Sequence, residues 1–162
     1  MKSKYPTPNS ILNNQDMIDL VAHVFMEHIP FNQVIGMSLG VYTDTRVELC
    51  FVRRDELIGN KIRNILHGGV TSTVLDTVGG LFAARSIYQT LQECTYEEFQ
   101  QKFSKIGTID LRVDYLRPGR GEKFIASASL LRSGNKVAVC RMELHNEKQE
   151  LIAVGTGTYL VG

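Results

Sequence analysis

An excess of charge of one sign is almost absent from this chain. Eighteen Lys and Arg stand against seventeen Asp and Glu, a formal balance of +1. A domain built to bind nucleic acid is strongly basic, so no nucleic-acid partner is expected. Cysteine is scarce too. Cys50, Cys94 and Cys140 are far apart and odd in number, which suits reduced cytoplasmic thiols better than a disulfide framework. Long hydrophobic runs are missing, none approaching the roughly 18 residues of a membrane span. The basic start Met1-Lys2-Ser3-Lys4 meets Pro6 and Pro8 instead of an apolar stretch, so no secretory signal is expected. A soluble, cytoplasmic protein with no membrane partner follows. His23, His28 and His145 show no ligand spacing with Cys or acids, so no metal site and no cofactor are expected. No internal repeat, low-complexity segment or linker divides the chain.

What is present is enough apolar residue, 43% of 162, for one core. Residues 1–13 read as a flexible tail and 14–162 as a single domain. Met17, Leu20, Val21, Val24, Phe25 and His28 have helical spacing after Asn14, a possible N-cap, and Pro30 ends that helix. Met37–Tyr42 and Val47–Val52 read as strands about the turn Thr43-Asp44-Thr45. A loop from Asp55 to Leu66 leads to a helix running to about Thr90. Thr95 and Glu98 have the capping-box form and start a short helix to about Phe103. Ile109, Leu111, Val113 and Tyr115 then alternate with polar residues until Pro118-Gly119. Phe124–Leu131, Val137–Leu144 and Leu151–Val161 complete an antiparallel meander with turns at Ser133-Gly134-Asn135 and Asn146-Glu147. One long helix against one curved antiparallel sheet is an α+β arrangement. Cys50 and Cys140 fall in strand patterns as core residues. Phe25, Phe31, Phe51 and Phe82 are expected in the core, one or two of them lining a ligand tunnel.

The long helix is the informative element. It opens with His67-Gly68-Gly69 and carries Asp76 about two turns in. At about 3.6 residues per turn, Val70, Val74, Val78, Leu81 and Phe82 gather on one face. Gly69, Ser72, Thr73, Asp76, Gly79, Gly80 and Ala83 gather on another, all small except Asp76. Small residues let a helix or a slender ligand approach the backbone, and an ionised Asp there is costly unless solvated, paired or used. The first N–H groups of a helix lack intrahelical partners and favour negative charge. A helix that starts on glycine can offer such a donor to a substrate oxygen.

These motifs, with the downstream run Gly107–Gly121 and Gly134-Asn135-Lys136-Val137-Ala138-Val139, resemble the hotdog-fold acyl-CoA thioesterases of the PaaI type, and within them the YigI-like bacterial group. The likeness runs from about Met17 to Gly162. It implies a helix on the inner face of a sheet that pairs with a second sheet across a dimer, and active sites at the subunit interface. It implies that Asp76 is general base or nucleophile and that a backbone N–H of Gly68 or Gly69 polarises the thioester carbonyl. His67 would order that loop, and Thr108, contributed by the partner subunit, would position the water. Many relatives carry an Asn where this chain has Lys61, so Asn60 and Asn64 are the candidates for that role. The implied substrate is medium- to long-chain fatty acyl-CoA, with aryl acyl-CoA as a further possibility. Homodimers, paired into a homotetramer, are expected, since a single meander leaves a sheet edge exposed. A hotdog hydroxyacyl dehydratase and a non-catalytic acyl-CoA binding module are the alternatives.

Coenzyme A also carries phosphates, which need basic groups. Between Lys105 and Arg141 eight Lys and Arg stand against three Asp and Glu. Arg117, Arg120, Arg132 and Lys136 fall at expected turns and are the candidate contacts.

Overall fold

The computed structural model describes residues 5–43 and 45–162; Met1–Lys4 of the expected tail and Asp44 of the expected turn lie outside the described residues. Helix α1, Asn14–His23, starts one residue earlier than expected. Asn13 is its cap, accepting from the Asp16 N–H at 3.0 Å, while Asp16 accepts from the Asn13 N–H at 2.9 Å. Within the stretch expected as tail, Ile11–Leu12 (β1) pairs with Cys94–Thr95 (β6), and Leu12 is 3% exposed. An apolar side chain with a vacant strand partner nearby gains by docking.

The expected continuous helix to His28 is not found. Val24–His28 forms a π turn, and Pro30, instead of only ending a helix, begins another, α2 (Pro30–Ile35). Proline fits the first helical position because its missing N–H has no partner there. Gly36 at φ 77° closes α2 in the left-handed region. The π turn has one consequence hidden in the linear spacing. Its i→i+5 closure stacks residues five apart, which an α-helix sets about 140° apart around its axis. His23 and His28 meet, Nε2 to Nε2 at 3.1 Å. The expectation that these histidines lack ligand spacing therefore needs correcting.

The main sheet has six antiparallel strands. They are β2 (Ser38–Tyr42), β3 (Val47–Val52), β7 (Gly107–Tyr115), β8 (Lys123–Ser133), β9 (Val137–Asn146) and β10 (Leu151–Leu160), in the order β2-β3-β8-β9-β10-β7. A small hairpin of β4 (Ile58–Asn60) and β5 (Ile65–Leu66) precedes α3, Gly68–Leu91. The short α4, Tyr96–Phe103, has the expected capping box between Thr95 and Glu98.

At 24 residues, or roughly 36 Å, α3 is long enough to cross the whole sheet, and it packs chiefly on β8, β9 and β10. Strand β9 shows why the sheet has an inside. Ala138, Cys140, Met142 and Leu144 alternate inward and are fully buried. The expected hotdog architecture is what the chain adopts. Its layers are tight where Gly79 faces the sheet, since a Cβ there would lie 2.8 Å from Tyr159 Cζ and 2.9 Å from Met142 Sδ. Phe51 and Phe82 join this core, whereas Phe31 is 57% exposed. Strand β7 is a sheet edge, bonded to β10 on one side only, and carries Ile109 at 57% exposure.

Candidate active site

His67 lies just before α3 in extended conformation and caps it, its Nδ1 accepting the Gly69 N–H at 2.9 Å. This divides the two glycines. The Gly69 donor is spent on the imidazole, and a Cβ on Gly69 would sit 2.9 Å from that same nitrogen. The Gly68 N–H has no hydrogen-bond partner among the described residues. The Gly68 carbonyl accepts from the Tyr115 hydroxyl at 3.0 Å. In the next turn Ser72 and Thr73 both donate to the Gly69 carbonyl, at 3.1 and 2.7 Å. Their hydroxyls are thus occupied by the helix itself.

Asp76 has a different neighbourhood. Thr108 Oγ1 donates to Asp76 Oδ1 at 2.9 Å. Both belong to one chain, which corrects the implication that Thr108 reaches Asp76 from a partner. The contact depends on a β-bulge. Asp110 is opposite Thr158 and Thr108 is opposite Tyr159, leaving Ile109 without a counterpart on β10. In a regular strand Thr108 and Asp110 would share a face. The extra residue turns Thr108 to the side of buried Tyr159, and hence to α3. The Tyr159 hydroxyl donates to the Asp76 carbonyl oxygen at 3.2 Å. Burial, and next the Asp76 charge, push the Tyr159 phenol above its usual range, which keeps it a donor.

Asp76, Thr108 and Tyr159 open onto a cavity of about 340 Å³, with Thr73, Thr77 and Gly80 on its helix side. Phe25 of the π turn, Ile29 after it and Phe31 of α2 form its apolar wall, with the polar Asn32 beside them. Gly68 opens elsewhere. Its cleft, about 350 Å³, is lined by Ile65, Leu66, Thr71, Tyr115, Arg117 and Gly119 among others, and shares no lining residue with the Asp76 cavity. One chain thus presents an acid with an apolar pocket on one side and an unspent N–H with a basic side chain on the other.

The remaining candidates disperse. Arg117 reaches the Gly68 cleft and donates to the Leu151 carbonyl at 2.8 Å. Arg132 and Lys136 share a separate depression at the β8–β9 hairpin, and Arg120, in the turn before β8, lines neither cleft. Asn60 accepts from the Arg63 N–H at 3.0 Å, and Asn64, at φ 49°, accepts from Arg53 at 2.7 Å. Both Asn oxygens are engaged in the β4–β5 loop. Cys140 is buried, its thiol pushed up to about 12 by that burial, which leaves it inert as a nucleophile. Tyr159 and Tyr115 went unnoticed in the sequence because strand alternation assigns them simply to a pattern.

Residues 63–153 match the model of the thioesterase superfamily. The chain belongs to that superfamily. Its class is therefore thioester hydrolase. The medium/long-chain acyl-CoA thioesterase YigI of Escherichia coli K12 is 47% identical over 154 residues, covering 95% of this chain and 99% of that protein. Its Salmonella typhimurium counterpart is 46% identical over the same length. A crystal structure of a Shewanella oneidensis protein related to the thioesterase superfamily superposes with a TM-score of 0.89 at 50% identity, covering 93% of this thioesterase and 100% of that chain. Among the described residues of this thioesterase, no helix is long and apolar enough to cross a membrane.

Proposed function

We propose that this thioesterase hydrolyses medium- to long-chain fatty acyl-CoA in the cytoplasm, at a site completed by a second copy of the chain. The observation that carries the reading is the separation of Asp76 from Gly68 into two clefts of one chain, beside an unpaired β7 edge. Two copies joined along β7 set the acid and Thr108 of one against the Gly68 N–H of the other. Thr108 therefore serves from the Asp76 chain, and the partner supplies the oxyanion donor.

In the reaction, water and R–CO–S–CoA give R–COOH and HS–CoA. Asp76 takes a proton from water, or attacks the carbonyl itself to form an anhydride that water then opens. The carbonyl oxygen gains negative charge in either route, and the Gly68 N–H at the helix start stabilises it. Thr108 holds the Asp76 carboxylate in one orientation. His67, by occupying the Gly69 N–H, fixes the turn that aims Gly68. The apolar wall of Phe25, Ile29 and Phe31 suits an alkyl chain, and Arg117 beside Gly68 suits a phosphate. The E. coli relative's name agrees with that substrate class.

Thiol release from acyl-CoAs of two to sixteen carbons, plus phenylacetyl-CoA, tests the reading. Asp76→Ala should lose about a hundredfold or more in kcat, the scale of a missing general base. Thr108→Val should lose roughly tenfold or more, the worth of a hydrogen bond to a charged group. Release on no substrate from folded protein would overturn the activity. The shared site has its own test. Gly68→Pro removes the N–H at a position that accepts proline. Co-expressing it with Asp76→Ala should restore about a quarter of wild-type sites, because half of randomly formed dimers are mixed and each holds one intact pair. No restoration from verified mixed dimers would refute sharing.

A further inference from the structure

The histidines brought together by the π turn belong to none of this chemistry. His23 Nδ1 lies 3.2 Å from Glu27 Oε1. In the tautomer with Nδ1–H turned to that carboxylate, His23 carries its lone pair on Nε2. That nitrogen is 3.1 Å from His28 Nε2, and the Tyr5 hydroxyl is 2.6 Å from the same His28 nitrogen. In its Nδ1-protonated tautomer His28 also turns an Nε2 lone pair to this place, where the Tyr5 hydroxyl is the group that an incoming ion displaces. With both rings in these tautomers, two acceptors face each other at contact distance, an arrangement that a cation between or beside them relieves.

We propose that His23 and His28 bind a divalent first-row transition ion, of the class that favours imidazole, with Glu27 holding His23 in the ligating tautomer. The geometry suits it. A tetrahedral ion with metal–nitrogen bonds near 2.0–2.1 Å holds two nitrogens about 3.3 Å apart, within a few tenths of an ångström of the spacing found. One ligand atom from each of His23, Glu27 and His28 lies within 4.8 Å of the others. The imidazole planes are inclined at 68° with centroids 4.7 Å apart, and the two Nε2 atoms are the ones brought to 3.1 Å. The pattern of a histidine whose other nitrogen donates to a carboxylate is the one metal-ligating histidines adopt. Asp16 and Asp19 line a groove of about 310 Å³ that also reaches His23 and favours entry of a cation. Phe25 sits in the same π turn and lines the Asp76 cavity. The ion therefore clamps, from outside, the segment that walls the substrate pocket.

Isothermal titration of tag-free, chelator-stripped protein with zinc chloride tests this. Wild type should take up one zinc per chain. His23→Ala and His28→Ala should each weaken uptake at least tenfold, and Glu27→Gln by roughly tenfold. With zinc at a hundredfold over its dissociation constant, the melting temperature of wild type should rise by roughly 5–10 °C, and that of His23→Ala/His28→Ala should not. These side chains are largely outside the core, so the metal-free variants should match the circular dichroism of wild type. Absence of zinc uptake by wild type, or uptake undiminished in the double variant, would overturn the site. The first of those results would leave a proton shared between the two nitrogens.

Discussion

Two neighbouring glycines of α3 should respond in opposite directions to the same added methyl group. A Cβ on Gly79 would lie 2.8 Å from Tyr159 Cζ and 2.9 Å from Met142 Sδ, and closest of all to the Tyr159 hydroxyl oxygen. Tyr159 is 1% exposed and cannot swing into solvent. Overpacking of this kind costs about 1–3 kcal/mol, and losing the bond from Tyr159 to the Asp76 carbonyl costs about 1 kcal/mol more. Helix propensity returns about 1 kcal/mol when glycine becomes alanine. The net for Gly79→Ala is about 1–3 kcal/mol of lost stability, or roughly 2–12 °C in melting temperature for a chain of this size. A Cβ on Gly80 would find its nearest neighbour, Tyr159 Cε1, at 3.6 Å, an ordinary contact. Gly80→Ala should therefore keep the propensity gain and melt a few degrees higher. Its methyl enters the Asp76 cavity, so it should shift preference toward slimmer or shorter acyl chains. Calorimetry of both variants is the assay. Adding Tyr159→Phe to Gly79→Ala removes the atom nearest the new methyl and should recover part of the loss. Equal melting temperatures for the two alanine variants would refute the packing account.

His67→Ala removes the cap on Gly69 and should cost about 1 kcal/mol, lowering both melting temperature and kcat, while His67→Asn keeps an acceptor and should retain most of each. Ile109→Lys places a charge on the exposed β7 edge; light scattering should show smaller species than wild type with lower specific activity, and an active wild-type monomer would contradict the shared site. Glu147 accepts from its own N–H and from those of Lys123 and Glu122, which holds its carboxyl below the usual range. A lowered folded-state value gives stability that is present above about pH 4.3, the unfolded value, and is lost as pH falls through the folded one. The melting-temperature gap between wild type and Glu147→Gln should thus close on acidification, and a constant gap would rule the effect out.

How far the sequence reached follows the range of the forces involved. The long helix, the short capped α4 and the meander are set by periodicities of about 3.6 and 2 residues, which is information carried locally by side chains such as Val74 and Met142. Asp76 stood out because a lone acid on a small-residue face has few structural uses. The π turn did not, since α and π spacing of Val24–His28 differ by one residue and nothing in the composition selects between them. Pro30 reads as an end in the linear sequence, yet the same fixed φ fits a first helical position, and it is the start of α2 that the structure realises. The unequal fates of Gly68 and Gly69 depend on which way the His67 ring turns. Likewise, that Thr108 bonds to its own chain's Asp76 depends on register with β10, a pairing more than forty residues away in sequence.

The unpaired Ile109 makes the candidate site a matter of arithmetic as well as chemistry. Most surface strands tolerate a change of residue and are indifferent to how the tally of residues was reached. Here the chain from Asp110 onward keeps one phase against β10, and Thr108 keeps the other. Were Ile109 instead to pair with Tyr159 in a regular ladder, every residue of the candidate site would keep its place in the sequence while the threonine hydroxyl turned to the far side of the sheet. The inward turn of Thr108 is accordingly a property of where the ladder slips as much as of the residue itself. The same threonine, with its pairing moved by one position, would face away from Asp76.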